Sequence, residues 1–136
     1  MSFEVYVLCL GDESAWMPRS AVRSLFPVVD AESEQDYWFV RYDDHNACHI
    51  RVSPLASDQE TLKSLCVHRP CADSRLWESL LRVLQMHPVV MYWPGGPAIV
   101  AEPKTVALLP RGLAEALGPP KVVGVADELL SLLQET

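Results

Sequence analysis

The chain begins with an alternating run. Phe3, Val5, Val7 and Cys9 alternate with Glu4, Tyr6, Leu8 and Leu10, so both faces of a first strand are largely apolar. That pattern predicts a central place in a sheet. Pro18 suits a helix start, and Ala21, Val22, Leu25 and Phe26 recur at helical spacing until Pro27, which predicts a first helix over Pro18–Phe26. The acidic stretch from Asp30 to Asp36 has no periodicity and reads as a loop. Two strand-like runs, Tyr37–Tyr42 and Ala47–Val52, flank Asp43, Asp44, His45 and Asn46, whose turn-forming side chains mark a hairpin. Parity puts Trp38, Val40 and Tyr42 on one face with Cys48, Ile50 and Val52. Tyr37, Phe39, Arg41, His49 and Arg51 fall on the other.

Beyond the hairpin the pattern admits two readings. Ser57 with Glu60 three residues later is a capping-box pattern for a short helix near Asp58–Leu65. A third strand through Leu65 and Val67 competes with it and is preferred. Asp73 or Ser74 then caps a helix whose Leu76, Trp77, Leu80, Leu81, Val83 and Leu84 make a wide apolar face. Val89–Trp93 reads as a strand, turned by Pro94-Gly95-Gly96-Pro97 into a short run Ala98–Ala101. Arg111–Leu117 reads as a helical turn stopped by Gly118, Val122–Val125 as a short strand, and Asp127–Gln134 as a final helix with acids at its start. Strand, helix, two strands, helix, strand is the order of a ferredoxin-like βαββαβ sandwich, so the expected class is α/β of the α+β kind. The expected sheet is mostly antiparallel, with a C-terminal extension.

Composition narrows this to one domain over 1–136, because a chain of 136 residues with 49% hydrophobic and 21% charged residues builds one core and folds unaided. The apolar opening lacks a basic lead and a cleavage site, and no apolar run reaches the length of a membrane span, so the expected place is the cytoplasm. There Cys9, Cys48, Cys66 and Cys71 default to thiols. Charge is uneven. Nine acids and three bases lie within Met1–Asn46, against nine and eight in the rest, so the first third holds nearly all of the net −7. Such a field repels nucleic acid and anionic membrane and draws basic partners inward, although clustered acids also serve as a solvated loop.

Candidate chemistry is sparse. Cys66, His68 and Cys71, with Cys48 and His49 a hairpin away, offer zinc's preferred ligand types at an irregular spacing. Cys71 beside Arg69 and near His68 has part of the setting of an activated nucleophile. The acids form no evident pair held in different environments, the Gly95-Gly96 turn lacks the lysine or helix of a phosphate cradle, and no Gly-x-Ser-x-Gly elbow occurs. The expectation is therefore a protein that is not an enzyme, with no cofactor and no metal.

Val67-His68-Arg69-Pro70, then Asp73, Arg75-Leu76-Trp77 and Leu80, followed by Val90-Met91-Tyr92-Trp93-Pro94-Gly95, resemble stretches of small proteins encoded beside bacterial polymorphic toxins of the type VI secretion and Rhs classes. The resemblance implies a cognate immunity protein, a stoichiometric inhibitor that occludes a toxin's active site. It transfers no toxin-binding residue. An acidic face complements a basic nuclease toxin, and Tyr37, Trp38 and Phe39 beside the acids supply aromatic anchors. The expected contact residues are Asp30, Glu32, Glu34, Asp36, Tyr37, Phe39, Asp43 and Asp44. Two other readings stand beside this one: a thiol or metal protein or enzyme using Cys66, His68 and Cys71, and a regulatory module that binds a ligand and forms a homodimer through the open sheet.

Overall fold

The computed structural model describes residues 3–30, 37–54, 60–86 and 88–135. In chain order its strands are β1 (Glu4–Cys9), β2 (Met17–Pro18), β3 (Tyr37–Arg41), β4 (Ala47–Ser53), β5 (Thr61–Leu62), β6 (Ser64–His68), β7 (Val89–Tyr92), β8 (Ile99–Val100) and β9 (Lys121–Val122). Its helices are α1 (Arg19–Arg23), α2 (Ser74–Leu84), α3 (Arg111–Leu117) and α4 (Ala126–Gln134), with short 3-10 turns at Glu13–Ala15 and Pro103–Leu108. Seven strands make one sheet in the order β3-β4-β6-β1-β7-β8-β9, antiparallel except for the parallel β8–β9 pair, and β2 and β5 form a separate ribbon. The protein is α+β, with a mostly antiparallel sheet.

The ferredoxin-like expectation puts the first strand directly beside the second hairpin strand, antiparallel to it. Here β6 occupies that place, pairing antiparallel with β4 on one side and with β1 on the other. The sequence of β6 has the pattern of a strand that can take this place. Leu65 and Val67 are buried while Ser64, Cys66 and His68 are half-exposed, the period of two that a strand requires. After β4 the chain contributes β5 to the separate ribbon and returns as β6, which lies between β4 and β1. Of the two readings of this segment, the strand through Leu65 and Val67 holds, as β6. Residues 57–59 of the alternative helix start lie outside the described residues.

One face of the sheet is the core face. Val5, Val7 and Cys9 of β1, Trp38 and Val40 of β3, Cys48, Ile50 and Val52 of β4, Leu65 and Val67 of β6, and Val89 and Met91 of β7 are all buried in one cluster with α1, α2 and α4. The main cover is α2. Asp73 caps it by accepting from the Arg75 amide at 2.9 Å, and Leu76, Trp77, Ser79, Leu80, Leu81, Val83 and Leu84 are buried along it. A helix of this length is marginal alone, whereas each large apolar side chain buried contributes about 1.5–3 kcal/mol, so packing holds it. Trp77 meets Trp93 edge to face at 5.9 Å, both fully buried.

The first helix is shorter than its periodicity predicts. After Arg23 the amides of Leu25 and Phe26 bond back three residues, to Val22 and Arg23, and this tightening carries Phe26 into the core before Pro27. The outer edge of β3 is not bare. The Val29 amide donates to the Phe39 carbonyl at 2.8 Å and the Arg41 amide to the Pro27 carbonyl at 3.2 Å, so the chain after α1 covers an edge that would otherwise invite strand pairing. No described helix is long and apolar enough to cross a membrane.

Candidate site on the open face of the sheet

The residues of opposite parity line the other face. Strand registers set them in two rows. Phe39, His49, His68 and Glu4 face one another across β3, β4, β6 and β1, and Tyr37, Arg51, Cys66, Tyr6 and Tyr92 follow across β3, β4, β6, β1 and β7. The C-terminal extension covers only a corner of this face. Leu109 with Leu113 and Leu117 of α3 pack on Leu8, Leu10, Val90 and Val100, leaving the two rows half-exposed or exposed. The rows touch laterally. Tyr37 stacks on His68 with ring centres 5.5 Å apart and tilts toward His49 at 5.2 Å, Phe39 meets His49 at 4.8 Å, and Tyr6 stacks on Tyr92 at 5.3 Å. A cavity of about 580 Å³ opens here, lined by Phe3, Glu4, Tyr37, Phe39, His49, His68 and Arg69 among others.

Glu4 is the hub of the polar part. Its Oε2 accepts from the Tyr6 hydroxyl at 2.9 Å and from the Cys66 thiol at 3.2 Å, and its Oε1 lies 3.2 Å from Nδ1 of His68. The thiol and then the phenol, helped by His68, hold the Glu4 carboxyl below the usual carboxylate range. The same bonds act in reverse on the donors. Tyr6 is raised by its bond to Glu4, and Cys66 is pushed up to about 12, by burial first and by the bond to Glu4 second. Cys66 is thus a protonated thiol at neutral pH, a poor nucleophile as it stands.

Cys71 does not join Cys66 and His68. At Arg69 the chain takes a left-handed turn (φ 49°), and Cys71 lands on the core side, half-buried against the apolar cluster, with its carbonyl accepting from the Trp77 indole at 3.0 Å. Burial raises its thiol, the opposite of what an activated nucleophile needs. Cys48 also faces the core, and burial pushes its thiol up to about 12. The trio drawn from the sequence is corrected to Glu4, Cys66 and His68, because alternation along β6 points 66 and 68 outward and β1 lies alongside.

The expected contact residues divide. Tyr37 and Phe39 lie on the open face, but Trp38 is 2% exposed and belongs to the core, which removes it as an anchor. Asp30 is exposed and paired with Arg23. Glu32, Glu34 and Asp36 lie outside the described residues. Asp43 is committed to its own turn, accepting from the His45 amide at 2.8 Å and the Asn46 amide at 2.9 Å and pairing with Arg75, while Asp44 is exposed beside it. Arg41, Arg51 and Arg69 are exposed near the rows. The face is therefore aromatic and locally cationic, and the acids sit at its hairpin end and in the segment before β3. Glu4, Tyr6 and Tyr92 were not named as site residues from sequence. Two signals point to this part of β1: the lone carboxylate in an otherwise apolar strand, and Tyr6, which the open sheet face would expose with the hairpin residues. No family model, no curated protein and no solved structure matches this chain.

Proposed function

We propose that the protein is a binding protein that seats a partner protein on the open face of its sheet, and that the partner is the cognate toxin that the resemblance to immunity proteins implies. The observation that carries the reading is the pair of rows from Phe39 to Glu4 and from Tyr37 to Tyr92, aromatic side chains left uncovered when α3 packs only on the Leu8–Val90 corner. Rigid aromatic rings beside arginines are the composition of binding hot spots, since they bury much area at little entropic cost. The strands hold them fixed, so little ordering is lost on association. The exposed acids Asp30 and Asp44, with the further acids of the sequence 30–36, attract a basic partner. An inhibitor of this kind needs no chemistry of its own. It blocks the toxin's active site by occupying it.

The test is co-expression with the neighbouring gene product, followed by measured affinity and rescue of growth. Phe39→Ala and Tyr37→Ala should each weaken the complex by about 2 kcal/mol or more, as truncated hot spots do. Leu108→Ala, at an exposed position outside the rows, should leave it unchanged. A complex whose affinity ignores both aromatic truncations would rule out this face, and the absence of any complex would end the reading.

A further inference from the structure

Glu4, Cys66 and His68 bring three different donor atoms to one point. Glu4 stands directly opposite His68 in the β1–β6 register and Tyr6 opposite Cys66, so a carboxylate, a thiol and an imidazole meet on one face of two adjacent strands. The donor atoms that these residues offer all lie within 4.8 Å of one another. Sγ of Cys66 is 3.2 Å from Oε2 of Glu4, and Nδ1 of His68 is 3.2 Å from Oε1. A tetrahedral zinc ion bonded at about 2.0–2.3 Å to oxygen, nitrogen and sulfur holds such atoms about 3.3–3.6 Å apart. The two observed separations fall within a few tenths of that. The imidazole meets Glu4 through Nδ1, in a hydrogen bond that a metal ion bound between them would replace. Nε2 of His68 is buried without a hydrogen-bond partner among the described residues, so the ring's polar engagement is through Nδ1, the nitrogen that faces Glu4.

We infer that Glu4, Cys66 and His68 form a three-ligand site for a divalent ion of the zinc class, with water completing the coordination. Thiolate, imidazole and carboxylate together match zinc rather than calcium or magnesium, which take oxygen ligands. On binding, the S–H bond of Cys66 breaks, its proton passes to solvent, and the sulfur's electron pair bonds the metal. No electron is transferred. The site lies within the face of the toxin-binding reading but does not require it, and metal binding is measured without a toxin.

Metal-stripped, untagged full-length protein is titrated with zinc chloride against a chromophoric chelator, and with cobalt chloride followed by absorption. A single equivalent should bind, and cobalt should give a sulfur-to-metal charge-transfer band. Cys66→Ser should abolish that band, and Cys66→Ser, Glu4→Gln and His68→Gln should each weaken zinc binding by about tenfold or more. Cys71→Ser should leave both unchanged, since Cys71 lies on the core side. No thiolate band, a band that survives Cys66→Ser, or a band lost in folded Cys71→Ser would overturn the site. Should a variant fail to fold, alkylation of the wild-type protein decides. Zinc should slow modification of Cys66 by about tenfold or more and leave Cys71 unaffected, and an unchanged rate at Cys66 would overturn the assignment.

Discussion

Two glycines show how differently single positions are constrained. A Cβ on Gly96 would lie 2.2 Å from Nε1 of Trp93, an indole that is fully buried and packed edge-on against Trp77. The ring has no space to withdraw into, so Gly96→Ala should destabilise by about 1–3 kcal/mol, the usual cost of overpacking. Gly112, within α3, meets nothing within 4 Å. Gly112→Ala should stabilise by about 0.4–1 kcal/mol, because alanine loses less backbone freedom on folding. Urea unfolding of the two variants checks both signs, and equal effects would mean that the Trp93 contact does not set the first. In sequence both were plain glycines. The turn reading of Pro94–Pro97 located Gly96 correctly but could not reveal the indole, which the β7–β8 connection brings over it.

At the scale of elements, the β3–β4 hairpin is fixed by Asp43. Its carboxylate accepts from the Asn46 side chain and from the amides of His45 and Asn46, with Arg75 against it, and these bonds hold it well below the usual carboxylate range. Arg75 in turn lies 5.6 Å over the Tyr42 ring and also pairs with Asp73, so the hairpin is tied to the start of α2. With the folded value below the unfolded one of about 3.9, the contribution of this group is complete above that pH. It is lost as pH falls through the folded value. Asp43→Asn should therefore lower the melting temperature at pH 7, and the gap between wild type and variant should narrow at about pH 3. A gap of equal size at both pH values would show that charge plays no part. Elements were legible where local signals agreed. The span Arg111–Leu117 of α3 matches its prediction because apolar spacing and Gly118, at φ 78°, mark the same end. The start of α2 was legible from its aspartate cap. The first helix was over-read because Leu25 and Phe26 fit both a helix and the 3-10 turn that replaces its end, and periodicity does not separate the two.

Across the whole molecule, the charge has a different layout from the one composition suggested. The chain carries −7, yet Arg41, Arg51 and Arg69 lie near the aromatic rows, while Asp43 and Asp44 sit at the hairpin turn. On the toxin-binding proposal, the acids of the first third govern encounter and the rows govern dissociation. Association should thus slow by on the order of tenfold or more when salt is raised from low to well above physiological strength, as screening shortens the reach of these acids. Changing Glu32, Glu34 and Asp36 to lysine should slow association at low salt and remove that dependence, as stopped-flow mixing would show. Unchanged kinetics would place the acids outside the encounter surface. The sequence by itself determined which residues of the hairpin strands face inward, where the helix at 74 begins, where the helix over 111–117 begins and ends, and that Tyr37, Phe39, Arg41, His49 and Arg51 share one face. These follow from neighbours a few residues apart, whose alternation and caps act locally. Only the tertiary structure decided that β6 lies between β4 and β1, that Glu4 meets a thiol 62 residues away, and that Cys71 turns to the other side. Those depend on which strand pairs with which, and pairing is settled by burial and register across the whole sheet rather than by any stretch of chain.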